Sequence, residues 1–427
     1  MRRVLLISIM GGLGMACSKA PTATLTYYKD AKPIIDEKCI GCHVAGGIGP
    51  FDLTTYANVK TEGSLILPNV QAKVMPPWMP SDTSPQMQGD RSLSDDQIST
   101  LTTWIQQGMQ EGNPADAPQE PTPTNPFKAS ATFQVPQPYT PSTSLGTDDY
   151  HCFVLDPQLT ADTAVSAFNI VPGDRQIVHH VILYAVTPAN QSDLTTLEAG
   201  GDGNGYTCFG GPGLTASMVA GWVPGTLATT LPQGTGVTIK AGSKLVMQVH
   251  YNLLNAPNPA MPPSDQTSAQ LEYVPASSVT EGKFVPLANK TFNIPVGQVQ
   301  TVTFAVDSST FALPSGTPFY IYGVTPHMHL HGTDIHVNVT HPDNSQDLLI
   351  DVPKWQFQWQ ELYFFQTYKT EHIGDTLNLS CTFDNTQAHQ PYINGVQETA
   401  VPLAWGEDTL NEMCLSFVYL SLDPPMQ

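Results

Sequence analysis

Charge is scarce in this chain. Only 13% of its 427 residues are Asp, Glu, Lys or Arg, and Lys and Arg together number 17 against 37 acidic residues, a formal net charge of −20. A surface of that sign repels phosphate backbones and speaks against a nucleic-acid partner. The acidic residues form no long run, so the excess serves solubility. Long hydrophobic runs are also missing. The apolar stretch Val4–Met15 covers about 12 residues, too few to span a bilayer, and no later stretch approaches a span. No short internal repeat is visible.

The chain is instead rich in turn formers, with 33 Gly and 38 Pro, and 41% of its residues are hydrophobic. That composition reads as short strands joined by many turns around real cores. At about 100–200 residues per domain, the length implies two to four domains. Met1-Arg2-Arg3 followed by the short apolar stretch has the form of an export signal. It ends at Gly14-Met15-Ala16-Cys17, which resembles a bacterial lipoprotein box with Cys17 as the lipidated residue, although Leu13 sits one place early. A simple secretory signal (residues 1–17) is the alternative. The expected location is the periplasm, or an outer membrane through a lipid anchor alone.

Residues 25–110 have helical character. Ser94-Asp95-Asp96-Gln97 forms a capping box before Ile98, Leu101, Thr102 and Ile105, with Gly108 at the C-cap, predicting an amphipathic helix of about four turns. Residues 111–126 are Pro-rich and polar, a semi-rigid linker that reaches roughly 20 Å as a coil or about 50 Å as polyproline. Beyond 127 the chain turns strand-like, in 165–171, 176–186, 244–254, 301–306, 319–324, 335–339, 376–383 and 415–422. About 300 residues of this kind suit two β-sandwiches, with a break near 280–288. The expected domains are 25–110, 127–283 and 284–427.

Cys39-Ile40-Gly41-Cys42-His43 is a CxxCH motif. Two thiols at this spacing form thioethers to haem vinyl groups, and the following His is the proximal iron ligand. A redox or zinc CxxC would want a βαβ setting or a second thiol pair, and neither is present. A thioether from the loop Val74-Met75-Pro76-Pro77-Trp78-Met79-Pro80 would complete the iron, Met75 first and Met79 second, with Trp78 packed at the haem edge. A His/Met haem of this kind transfers electrons.

Three histidine clusters follow. In Val178-His179-His180-Val181, adjacent strand residues face opposite ways, so both reach one metal only at a strand end or bulge. His250 lies on the face of 244–251 opposite Leu245, Met247, Val249 and Tyr251, and a lone His there is as readily structural. In Pro326-His327-Met328-His329-Leu330-His331, the His-x-His pair shares one face about 7 Å apart along the strand, which suits chelation. His331 reads as supporting or structural. His151, His336, His341, His372 and His389 receive no role.

Together with Glu412-Met413-Cys414, these clusters resemble the type II copper, ascorbate-dependent monooxygenases, the family of peptidylglycine α-hydroxylating monooxygenase and dopamine β-monooxygenase. A His-His pair, a His-Tyr, a His-x-His and a Glu-Met-Cys occur in the family's order. The resemblance covers about 130–425. It implies two jelly-roll-like β-sandwiches, one copper each, facing a solvent-filled cleft, here preceded by a small α-helical cytochrome c domain. It assigns His179, His180 and His250 to an electron-transfer copper, and His327, His329 and Met413 to the oxygen-binding, catalytic copper. It also implies the disulfides Cys152–Cys208 and Cys381–Cys414. Imidazoles accept both copper oxidation states and a thioether favours Cu(I).

The substrate residues of the peptide-hydroxylating members are missing. Thr325 stands where they have an Arg, and Leu415 and Phe417 replace an Asn and a Tyr. The expected function is therefore C–H hydroxylation by O2 of a small organic molecule other than a peptidylglycine, using two copper ions and one covalent haem c. The electrons would come from an ascorbate-like reductant or a redox protein, and the haem would relay them. The alternatives are a non-catalytic haem/copper electron-transfer or copper-binding lipoprotein, and a zinc-dependent or cupin-like sandwich using His-x-His alone.

Overall fold

The structure is a computed structural model that describes residues 24–45, 47, 49–118, 127–256, 258–393 and 395–426. The expected signal, Cys17 and residues 119–126 of the linker lie outside the described residues.

Three helices, α1 (Lys32–Lys38), α2 (Tyr56–Gln71) and α3 (Asp95–Gln106), pack around Tyr27, Ile35, Val59, Leu101 and Trp104. The capping box at α3 forms reciprocally, with Ser94 Oγ accepting from Gln97 N and Gln97 Oε1 accepting from Ser94 N. This satisfies two of the amide groups a helix start leaves unpaired. The helix has 12 residues, a little over three turns where about four were predicted. It stops at Gln107 because Gly108 takes a left-handed φ of +89°.

The rest of the chain is mainly β and forms two sandwiches. In the first, one sheet orders Ala131–Gln134, Ser268–Pro275, Thr163–Val171, Thr235–Ile239 and Thr280–Glu281. The facing sheet orders Tyr206–Thr207, Asp148–Leu155, Lys244–Asn252, Val178–Val186 and Ser217–Trp222. Leu245, Met247, Val249 and Tyr251 enter the core between the sheets, as their shared face predicts. The opposite face of Lys244–Asn252 is not left to solvent. Val246 joins a smaller cluster with Leu194, Tyr206 and the Cys152–Cys208 disulfide, while Gln248 and His250 are buried beside it.

The chain passes to the second sandwich between Glu281 and Lys283. Its sheets order Lys283–Asn289, Cys414–Ser421, Pro318–His327 and Tyr363–His372, and Val299–Asp307, Thr376–Asp384, Gly332–Thr340 and Gln346–Val352. Burial alternates strictly along Thr376–Asp384, the signature of a strand with one face in a core. Phe284, Tyr322, Phe364 and Tyr419 of the second sandwich pack into the core of the first. Each such ring withdrawn from water contributes about 2 kcal/mol, so the two sandwiches meet through an apolar seam.

The helical segment docks on this pair. Tyr363–His372 is the edge strand of its sheet, and the strap 81–91 covers that edge. Met87 bridges Phe365, Gln88 N donates to Phe364 O (2.7 Å) and Gln366 N donates to Gln86 O (2.8 Å). Unpaired edge groups are satisfied this way. Met79 is buried in the second sandwich's core and its Sδ accepts from Gln356 N. Trp78 meets Tyr363 edge-on at 5.4 Å, where the loop's apolar side is drawn into that core.

Candidate metal centre

A β-bulge brings the adjacent histidines together. Val178 pairs with Tyr251 and His180 with His250, so His179 is the extra residue on its strand. The pleat is broken there, and both imidazoles reach the same side. His179 Nδ1 and His250 Nδ1 each lie 3.3 Å from His180 Nδ1. Two ligand atoms about 2.0 Å from one ion at tetrahedral angles stand about 3.3 Å apart, so the trio fits a metal ion of copper or zinc size. The His250 ring is fixed from behind, where Nε2–H donates to Asp148 Oδ1 (2.8 Å) and leaves the Nδ1 lone pair for the ion. Tyr150 stacks on it at 4.0 Å.

Asp148 is buried. Burial opposes its ionisation, yet the hydrogen bond and charge of His250 and the Thr409 hydroxyl hold its carboxyl well below the usual range. Thr409 Oγ1 donates to it at 2.7 Å and Asn252 Nδ2 at 2.9 Å. Thr409 belongs to the second sandwich, so the support of one histidine trio is shared across the seam.

The second set lies at the end of Pro318–His327. His327 donates from Nδ1 to Gln360 Oε1 (2.5 Å), and His329 from Nδ1 to Asn411 O (3.1 Å), which leaves each Nε2 free as a ligand. Glu412 pins this loop. One carboxylate oxygen accepts from His329 N (2.9 Å), the other from His331 N (2.6 Å) and the His331 ring (3.2 Å). The far nitrogen of His331 meets Gln390 Oε1 at 3.1 Å, so His331 supports the loop. Met413, Leu415 and Phe417 share one face and line a common cavity with His327, while Cys414 turns to the core and bonds Cys381. Both disulfides implied by the resemblance are formed.

Burial, then the neighbouring imidazoles, pushes His179, His180 and His329 well below the ordinary histidine range, and burial pushes His327 down to about 4. All four are neutral at neutral pH, the form that ligates metals.

The two sets face each other. The His180 and His327 rings are 6.4 Å apart, and Phe357 lies 4.6 Å from His179 and 5.7 Å from His329. The two sets thus lie close together where the sandwiches meet, and the Thr409–Asp148 bond spans that seam. Beside the pair is a cavity of about 410 Å³ lined by Ile182, Trp222, Leu362, Thr325, Leu415 and Phe417 among others. Its size and apolar walls suit a small organic ligand.

The CxxCH segment follows α1. Cys39 and Cys42 form no disulfide among the described residues and are half-buried, and burial pushes the Cys39 thiol up to about 12. His43 Nδ1 meets Phe51 O at 3.1 Å, leaving Nε2 free. A Cβ on Gly49 would come within 2.6 Å of that ring, so the glycine makes room for it. A cleft of about 1390 Å³ has Gly47, Gly49 and Pro50 on one side and His179 and Phe357 on the other.

Sequence reasoning missed Asp148, Gln360, Asn411 and Phe357. Each supports a ligand through a contact between distant segments, and none stands in a motif. Glu412 was visible in Glu-Met-Cys, but nothing in the sequence shows what it holds.

Residues 283–426 match the family model described as copper type II ascorbate-dependent monooxygenase, C-terminal domain. DBH-like monooxygenase protein 1 of Gallus gallus is 25% identical over 266 residues, 57% of this chain and 39% of that protein. The chain thus spans less than half of that relative's length. Among solved structures, infectious bursal disease virus Gx strain has a TM-score of 0.20 at 9% identity, covering 71% of this chain and 76% of that one. The VP2 subviral particle of the same virus has a TM-score of 0.17 at 8% identity, covering 73% and 81%. Likenesses this remote carry no argument. The donor sets and the sequence match agree, and both support the copper type II ascorbate-dependent monooxygenase family, whose C-terminal domain residues 283–426 match.

Proposed function

We propose that this chain is an exported copper-dependent monooxygenase that hydroxylates a C–H bond of a small, predominantly apolar molecule. His179, His180 and His250 hold the electron-transfer copper. His327, His329 and Met413 hold the copper at which O2 is reduced. Cys39, Cys42 and His43 carry a haem c, with Met75 as its second axial ligand, since Met79 is committed to the second sandwich. Bound there, two copper ions and a haem would supply O2 activation and one-electron storage. The balance is R–H + O2 + 2 e⁻ + 2 H⁺ → R–OH + H2O, so an outside reductant, ascorbate-like or a redox protein, supplies two electrons.

The observation that carries this reading is the single apolar cavity shared by His180, His327 and Met413. A mere electron carrier has no use for a 410 Å³ apolar cavity at its metal ligands. The chain's own residues do the positioning. Asp148, Gln360 and Asn411 O take the ring protons that would block ligation, and Thr325, Leu415 and Phe417 shape the cavity.

For the haem the support is local. A redox-active CxxC needs a readily formed thiolate, and the raised Cys39 thiol is the opposite. The free Nε2 of His43 suits iron. The haem motif also lies against both sandwiches. The position of a Cβ on Gly225 is 3.6 Å from Cys42 Sγ and 4.0 Å from Arg91 Nη1. Arg91 pairs with Glu361, the neighbour of Gln360, which holds His327. Gly225 follows Trp222, which pairs with Val181 beside His180. We read these contacts as a short route for the relay, through space from Cys42 to Gly225 and through the Arg91 bonds beyond it. Export and lipidation at Cys17 complete the proposal.

The test is substrate-dependent O2 uptake by the copper-loaded, haem-loaded chain. Incorporation of one ¹⁸O atom per product supports the reading. Redox cycling with no substrate-dependent uptake across a panel of small apolar compounds would favour the electron carrier.

A further inference from the structure

Away from the copper-type centre, a second set of ligating side chains meets at the other end of the second sandwich. Glu371 pairs with Phe319, eight residues along the same strand from His327, or about 26 Å at 3.3 Å per residue. His341 and Asp347 flank the tight turn between Gly332–Thr340 and Gln346–Val352, where Asn344 has φ +67° and His341 N donates to Ser345 O. Asp375 sits in the turn after Tyr363–His372, its Oδ2 fixed by His372 N at 2.7 Å.

His341 Nδ1 is 3.1 Å from Asp375 Oδ1 and 3.9 Å from Glu371 Oε2, and its Nε2 is 3.6 Å from Asp347 Oδ2. One ligand atom each from His341, Asp347 and Glu371 lies within 4.8 Å of the others. Independently of that cluster, Glu371 is 0% exposed, faces into it, and has no hydrogen-bond partner on either carboxylate oxygen among the described residues. A buried carboxylate without partners is unfavourable unless a proton or a cation compensates it, and burial pushes the Glu371 carboxyl up to about 7, so an ion there would compete with a proton. A protonated His341 does so only in part, because it bonds Asp375 and stands 3.9 Å from Glu371, within ion-pair reach but beyond hydrogen-bond distance.

The geometry points to a structural site for one divalent transition ion of the Mn²⁺ or Zn²⁺ class, held by His341, Glu371 and Asp347, with Asp375 fixing the His341 ring. Two carboxylates and one imidazole match ions that accept both oxygen and nitrogen, while Ca²⁺ and Mg²⁺ take oxygen throughout. Glu371 comes from one sheet, and His341 and Asp347 from the other. The ion would therefore staple the two sheets at the end remote from the copper ligands.

The full chain, its copper sites first filled with Cu(II), is titrated with Mn²⁺ alone and with Zn²⁺ alone. Binding is followed by Mn²⁺ EPR, elemental analysis and Tm. One equivalent beyond the retained copper is expected, with a raised Tm. Glu371→Gln should abolish it at unchanged copper content. Asp347→Asn, on a half-exposed hairpin residue whose loss leaves the core intact, should weaken it at least ten-fold. No additional equivalent of either ion, or equal affinity in wild type and Asp347→Asn, would overturn the site. Either result leaves the copper reading untouched.

Discussion

Asp148→Asn removes the carboxylate behind His250 while keeping the side chain's size. In the wild type, Asp148 Oδ1 accepts from His250 Nε2 at 2.8 Å, from Asn252 at 2.9 Å and from Thr409 at 2.7 Å. An Asn oxygen can keep part of that set, but its NH2 must then face donors at the other position. His250 loses the anion that orients the ring and makes Nδ1 more basic. Losing such an outer partner weakens metal affinity about 10–100-fold, or about 1.4–2.7 kcal/mol. The seam also loses a charged acceptor for Thr409, a further cost of about 1–3 kcal/mol in stability. Competitive Cu(II) titration against a chelator resolves the two sites, and the His327/His329/Met413 site serves as internal control. The expected result is a selective 10–100-fold loss at the trio. Equal losses at both sites, or no loss at the trio, would refute the reasoning.

Histidines with depressed folded pKa values take up protons on unfolding, so stability is lost as pH falls below about 6.5, the ordinary value. The copper-free chain should therefore lose Tm steadily between about pH 6.5 and 4, where His327 protonates in the folded state. Below about 3.9, the contribution of the depressed Asp148 is lost in turn. A flat Tm over pH 4–6.5 would contradict the buried neutral imidazoles. Arg91→Ala breaks the link to Glu361 and Gly225 O and should slow haem-to-copper electron transfer several-fold in stopped flow, at unchanged haem and copper content. Unchanged rates would remove that route. Replacing both Cys381 and Cys414 by Ser should cost about 3 kcal/mol in denaturant unfolding and loosen the Met413 copper selectively, since Cys414 anchors that strand from behind. Unaltered copper affinity at that site would show that Met413 needs no such anchor.

Much of the fold was legible because strand faces repeat every two residues. Residues 244–251 showed their core face directly, and the capping box announced α3. The individual ligands were legible only as motifs. The pleat alone says His179 and His180 point apart, and no sequence signal marks the bulge that turns them together. His250 looked like a lone structural histidine until His180 was found opposite it. Asp148 and Gln360, and what Glu412 holds, became visible only when segments more than 30 residues apart met. The closeness of the two histidine sets was equally hidden, since it depends on rings such as Phe284 and Tyr419 packing across the seam. His341 and Glu371 carry no motif; what singles them out is the carboxylates gathered around His341 and the burial of Glu371 without a hydrogen-bond partner among the described residues.

The most direct test of the account is metal stoichiometry in the mature, haem-loaded protein reconstituted with Cu(II), then reduced, with Met413→Ala alongside. Two coppers per chain are predicted, with Cu(I) affinity at one site lowered by loss of the thioether and the other unchanged. A single copper, or two whose affinities are both indifferent to Met413, would contradict the two-site monooxygenase.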